Sequence, residues 1–180
     1  FGSGLGGGSS DAVSVIKLLN KIFSIEIAEE QLIEYAGRLG SDCPFFVKNT
    51  PQYASEKGDK LEPVNLSLSG YYLFLIIPDI HISTRFAYQG ITPKKSDFSL
   101  KKCIEETPVK EWKKHIKNDF EEHIFEHHTG LKKLKDMLYD SGAVFASMSG
   151  SGAAIYGIFE NAPPAMKFPK QYYFWKEKLI

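Results

Sequence analysis

The chain has 180 residues, 43% of them hydrophobic and 24% charged, so a packed core is expected rather than disorder. Twenty-two basic residues balance 22 acidic ones. That balance removes any bulk-charge case for nucleic acid or an anionic membrane surface, leaving open only a local basic patch around Lys110, Lys113, Lys114 and Lys117. Cys43 and Cys103 have neither disulfide-framework nor zinc-motif spacing, and a reducing, cytoplasmic setting is expected. The longest apolar run, YYLFLII at 71–77, is far short of a membrane span. The glycine-rich opening lacks the basic-then-apolar pattern of a signal peptide. It begins on Phe1 rather than methionine, and a fragment lacking its upstream part is expected.

In chain order, a helix is predicted after Ser9 and Ser10, either of which can serve as N-cap. Its apolar stripe is Ala12, Ile16, Leu19 and Phe23, flanked by Val15, Leu18 and Ile22. A second helix is predicted over 28–39, with Leu32, Ile33, Tyr35 and Ala36 apolar and Gly40 as the stop. In SDCPFFVKN at 41–49, Pro44 shortens any helix and restricts Cys43. Two short strands follow, near 52–55 and 60–64, joined through EKGD. Tyr71 to Ile77 is a buried-type strand ended by Pro78. A short helix begins at Ser83 or Thr84. Residues 93–107 are polar and receive no assignment. From Val109 to Tyr139 the chain is mostly helical, broken at Thr129-Gly130. Two strands, 143–148 and 153–159, flank an SGSG turn, and 171–176 is a final strand. Interspersed helices and strands predict an α+β architecture with antiparallel pairing.

The opening string FGSGLGGGSSDAV has two readings. Glycine and serine suit a flexible tether, yet the string runs directly into an amphipathic helix, and Leu5 interrupts it with a residue suited to burial. Glycines let a polyanion approach the backbone, and a helix start offers unpaired N–H groups. The string is neither a P-loop nor a dinucleotide fingerprint. Composition alone leaves tether and phosphate site both open.

Four stretches, in order, carry a resemblance to one family. GLGGGSSDA at 4–12 resembles the second motif of the GHMP kinases. LGSDCPFF at 39–46, NDFE at 118–121 and MSGSGAAIYGIF at 148–159 are similar to further family stretches, the last being its third motif. The triple glycine followed by Ser-Ser-Asp resembles one branch, whose substrate is a cytidine-diphosphate sugar alcohol of the non-mevalonate isoprenoid pathway. Homoserine or mevalonate are the alternative substrates within the family, and a catalytically silent interaction domain is the alternative outside it.

The resemblance implies a two-lobed fold: residues 1–58 as the end of the ATP-binding N-terminal lobe and 59–180 as a ferredoxin-like C-terminal lobe. It implies ATP and Mg²⁺ as cofactors. Gly4, Leu5, Gly6, Gly7, Gly8, Ser9 and Ser10 match the phosphate loop, with Ser9 or Ser10 available to Mg²⁺. Asp42 matches the catalytic base. Ser149, Gly150, Ser151 and Gly152 match the third-motif loop near the substrate phosphate, and Tyr88 matches in outline an aromatic contact to cytosine. The family's first motif, with its lysine, has no match here, so the chain by itself is expected to be inactive. Its remaining helices are expected to expose apolar faces, and a homodimer is a possible consequence.

Other features receive structural readings. Asp42 outside the family context reads as a turn carboxylate, and SGSG as an ordinary β-turn. In EEHIFEHH at 121–128, His123 and His127 stand one helical turn apart, but a zinc site wants three or four ligands and a solvated face explains the run. Asn118-Asp119 is read as a helix cap, Tyr172 to Trp175 as an edge or core strand, and Cys43 as a small buried residue.

Overall fold

The computed structural model describes residues 2–92 and 98–180. Residues 93–97, within the stretch left unassigned above, lie outside the described residues. The described chain divides into two units, one of Gly6–Leu66 and one of Gly2–Leu5 with Ser67–Ile180.

The first unit holds α1 (Gly7–Ile22), α2 (Glu29–Leu39), α3 (Cys43–Lys48) and a hairpin of β1 (Gln52–Ser55) and β2 (Lys60–Pro63). The strands pair antiparallel, from Gln52↔Pro63 to Ser55↔Lys60. Helix α1 starts earlier than its serines suggest. Gly6, left-handed at φ 65°, is the N-cap, which places Ser9 and Ser10 inside the helix. A left-handed residue there favours glycine, so the glycine run sets the start and the hydroxyls are not needed as caps. Pro44 also behaves differently from expectation. It is the second residue of α3, where its missing N–H costs nothing, and it helps begin a helix. Asn49, left-handed at φ 53°, closes that helix.

The core of this unit is Val13, Leu32, Ala36, Cys43 and Val47, with Ala12 and Ile16 packed against it. The buried side of α1 is therefore Ala12–Val13–Ile16. Leu19 and Phe23, which the expected stripe included, lie exposed with Val15, Leu18 and Ile22. Helix α1 has two apolar faces, and α2 and α3 cover one of them. The other face is the exposed apolar surface anticipated above; Phe23 is 68% and Ile22 62% accessible.

The second unit contains β3 (Tyr72–Ile77), α4 (Thr84–Gln89), α5 (Leu100–Glu106), a 3-10 turn (Val109–Lys114), α6 (Phe120–His127), α7 (Thr129–Asp140), β4 (Phe145–Met148), β5 (Ile155–Phe159) and β6 (Tyr173–Lys178). Its sheet has the order β4-β5-β3-β6, antiparallel throughout. Numbered within the unit, that is 2-3-1-4, the order of a ferredoxin-like sheet. Phe74 and Ile76 of β3, Ile155 of β5 and Met148 of β4 share a core with Ile124 of α6 and Leu131 of α7. The α+β class and the ferredoxin-like sheet expected from the sequence are thus present.

Local chemistry explains the helix ends. Ser83 caps α4, its hydroxyl accepting from Phe86 N–H at 3.2 Å. Ser99 caps α5, accepting from Lys102 N–H at 3.3 Å, which gives the previously unassigned stretch a helix. The break in the long helical region falls at His128 (φ −127°, ψ 66°). Thr129 and Gly130 are the first residues of α7 rather than the break. Strand β6 lies at the sheet edge, where Phe174 stacks on Phe74 at 6.0 Å. Among the described residues no helix is long and apolar enough to cross a membrane.

Candidate active site

In the first unit the glycine string becomes the opening turn of α1. The first i→i−4 bond runs from Ser10 N–H to Gly6 O at 2.9 Å. The N–H groups of Gly7, Gly8 and Ser9 precede it and lack an intrahelical acceptor. Gly7 and Gly8 are exposed, and a Cβ built at Gly7 meets nothing within 4 Å. The first turn carries no acidic residue. Aligned peptide dipoles give this end a partial positive charge, so an anion is favoured there. Gly6 is fixed by α3: a Cβ on it would lie 2.9 Å from the Phe46 ring. Lys17 Nζ donates to Phe46 O at 3.0 Å, a second tie between α1 and α3.

Asp42 precedes α3. It occupies the N-cap position but makes no capping hydrogen bond, and its carboxylate accepts from Ser41 Oγ at 3.3 Å. The side chain is exposed. A carboxylate that neither caps nor, among the described residues, pairs with a cation keeps its lone pairs available to a hydroxyl.

In the second unit, Gly2–Leu5 lies on the Ser149–Gly152 turn. Ser149 Oγ donates to Gly4 O at 2.7 Å, and Ala154 N–H donates to Ser3 O at 3.0 Å. Gly4 has φ +76°, and a Cβ there would stand 2.0 Å from Ser149 O and 2.9 Å from Gly152 O. Two stretches matched separately to family motifs are therefore in direct contact. Leu5 is 38% accessible, contrary to the burial its apolar side chain suggested.

The turn is held by the residues that lead into and open α6. Asn118 Nδ2 donates to Met148 O at 2.9 Å and to Gly150 O at 2.7 Å, while its Oδ1 accepts from Phe120 N–H at 3.0 Å. Asn118 thus does more than cap a helix; its amide is shared between the start of α6 and the turn. Glu121 is 8% accessible. Its Oε1 accepts from Met148 N–H at 2.8 Å and Ser147 Oγ at 3.1 Å, and Oε2 pairs with Lys135 at 2.5 Å. Sequence reasoning did not single out Glu121. The signal was available, because Glu121, Ile124 and Phe125 share one face of α6, and a charge on an apolar face implies a buried partner. Tyr88 is exposed at the end of α4, its ring edge-on to Phe120 at 5.0 Å.

Two family models match the chain. GHMP kinases N terminal domain covers residues 1–49, and GHMP kinases C terminal covers 100–169. The chain belongs to the GHMP kinases. Among similar proteins, 4-diphosphocytidyl-2-C-methyl-D-erythritol kinase of Parabacteroides distasonis is 47% identical over 89% of this chain and 59% of its own length. The protein of the same name from Bacteroides thetaiotaomicron is 48% identical over 88% and 58%. The chain thus spans just under three fifths of these relatives. A crystal structure of 4-(cytidine 5'-diphospho)-2C-methyl-D-erythritol kinase matches with a TM-score of 0.70 at 27% identity, over 87% of this chain and 57% of that one. A homoserine kinase from Cytophaga hutchinsonii matches with a TM-score of 0.65 at 19% identity, over 88% and 56%, and shows a shared GHMP kinase fold.

Proposed function

We propose that the whole protein phosphorylates the 2-hydroxyl of 4-diphosphocytidyl-2-C-methyl-D-erythritol with ATP, a step of non-mevalonate isoprenoid precursor synthesis. The observation that carries this reading is the opening turn of α1. It presents three N–H groups that have no intrahelical acceptor, with open space over Gly7 and no acidic side chain in the first turn to repel a polyphosphate. The 41–48% identity to several relatives bearing that kinase's name supports the substrate class.

On this reading Gly4 to Ser10 form the phosphate loop. The N–H groups of Gly7, Gly8 and Ser9 would hold the β- and γ-phosphates, and the Ser9 or Ser10 hydroxyl would offer an oxygen to Mg²⁺. When bound, Mg²⁺ shields charge on the transferring phosphoryl group. Asp42 would take the proton of the attacking hydroxyl, which needs position more than an altered basicity. The Ser149–Gly152 turn would hold the phosphate region of the substrate, and Tyr88 would offer a ring to the cytosine. Residues 1–58 are assigned to the nucleotide-binding lobe and 59–180 to the C-terminal lobe. Apolar side chains exposed on α1 favour self-association of the isolated chain.

The whole protein, incubated with ATP, Mg²⁺ and a panel of alcohols, tests the reading. ADP release with the cytidyl substrate alone is expected. Release only with homoserine or mevalonate would reject the substrate, and no release with any would reject the kinase reading. Nucleotide binding to the 180-residue chain separates a working phosphate loop from a silent interaction domain.

A further inference from the structure

The solvated-face reading of EEHIFEHH meets a different arrangement in the fold. His123, Glu126 and His127 each offer a ligand atom, and all three atoms lie within 4.8 Å of one another. The third ligand that a histidine pair lacks is supplied by Glu126, three residues after His123 on the same face of α6.

Three further observations point to a cation. First, the rings are held in place. The His123 ring lies 4.8 Å from Phe86 and 4.6 Å from the His127 ring, and His127 stands edge-on to Phe86 at 5.2 Å. His123 also sits hard against the Gly90 backbone, where a Cβ would come within 2.0 Å of the ring. Little side-chain freedom is then left to lose on binding. Second, His127 Nδ1 lies 2.9 Å from His123 O. A carbonyl only accepts, so Nδ1 is the donor, and in the neutral ring the lone pair is then on Nε2. A ring N–H donated to a carbonyl is the usual support of a metal-bound histidine. Third, His123 Nε2 is buried with no hydrogen-bond partner among the described residues. Glu126 and His127 also stand in the last turn of α6, where the helix dipole favours a cation.

We propose that His123, Glu126 and His127 form a binding site for a borderline divalent transition metal of the Zn²⁺ class. Two imidazoles and one carboxylate suit such an ion better than Mg²⁺ or Ca²⁺, which prefer all-oxygen shells. Glu126 and His127 are exposed, so the remaining coordination positions open to solvent and the ion exchanges readily. The site is independent of the kinase reading, since it uses none of the residues assigned to nucleotide or alcohol.

The test uses the metal-stripped 180-residue chain, titrated calorimetrically with Zn²⁺ and spectroscopically with Co²⁺. One equivalent is expected to bind, with visible Co²⁺ absorption of a low-symmetry site containing nitrogen ligands. His127→Ala and Glu126→Gln change exposed side chains, and each is expected to weaken Zn²⁺ binding by about tenfold or more with the thermal melt unchanged. His115→Ala, outside the cluster, is expected to leave affinity as it was. No binding by the unaltered chain overturns the proposal, as does binding that neither His127→Ala nor Glu126→Gln weakens.

Discussion

Ser149 Oγ donates to the Gly4 carbonyl at 2.7 Å, joining residues 145 positions apart in sequence. The contact depends on Gly4 having no side chain and on its left-handed φ of +76°. Gly4→Ala is therefore expected to destabilise the second unit by at least about 2 kcal/mol, since an L side chain is strained there and its Cβ meets backbone. Ser149→Ala, which loses the hydrogen bond alone, is expected to cost about 1 kcal/mol. Urea denaturation of the two variants measures the difference, and equal midpoints would show that Gly4 is not under this constraint.

Asn118, just before α6, and Glu121 within it support the same turn. Asn118→Ala leaves the Gly150 carbonyl without its Asn118 donor and Met148 O with only the Ser147 hydroxyl, at an expected cost of about 1–3 kcal/mol. Glu121→Gln breaks a buried ion pair and leaves Lys135 uncompensated, at about 3 kcal/mol. Glu121→Gln with Lys135→Met is expected to recover part of that loss. A double-mutant cycle with no coupling would show that the pair acts as two independent groups.

For the whole protein, Asp42→Asn is expected to lower kcat by orders of magnitude while nucleotide affinity stays near normal. The substitution keeps the shape of a side chain that caps nothing, so folding is expected to be unaffected. Turnover at the original rate would remove Asp42 from the mechanism.

Alkaline pH offers a separate handle on the second unit. Burial, with Glu121 nearby, pushes the Tyr156 hydroxyl up from 10.0 to about 12. The unfolded chain then releases this proton at lower pH than the folded one. The contribution to stability is fully present below pH 10, falls as pH rises above it, and is lost beyond about pH 12. Tyr139, raised mainly by burial, adds in the same direction. Denaturation midpoints between pH 9 and 11 are expected to fall less steeply in Tyr156→Phe, and an unchanged slope would assign the loss to other groups.

Much of the fold was legible because its signals are local. The 52–55 and 60–63 strands, the buried run at 72–77 and the Ser83 cap all follow from alternation, apolar runs and hydroxyl capping. The start of α1 was misread because two serines look like caps, whereas a left-handed Gly6 does that work. The buried side of α1 was misread because two apolar faces share one helix, and tertiary packing chooses between them. At the candidate site, the motif strings were visible one by one. Their contact through Gly4 and Ser149, and the underpinning by Asn118 and Glu121, are long-range facts that no local period encodes.

Trp112 is 5% accessible, donates to Thr107 O at 2.9 Å and meets Phe145 edge-on at 5.7 Å. Phe145 begins the strand that ends at Met148, beside the Ser149 turn. The second of the chain's two tryptophans, Trp175, is 47% accessible on the edge strand. With Trp175→Phe, the protein becomes a single-emitter molecule whose fluorescence originates from a buried indole packed on the first residue of β4. Its chromophore then reads out any loosening of the strand that leads into the turn optically, without an added dye.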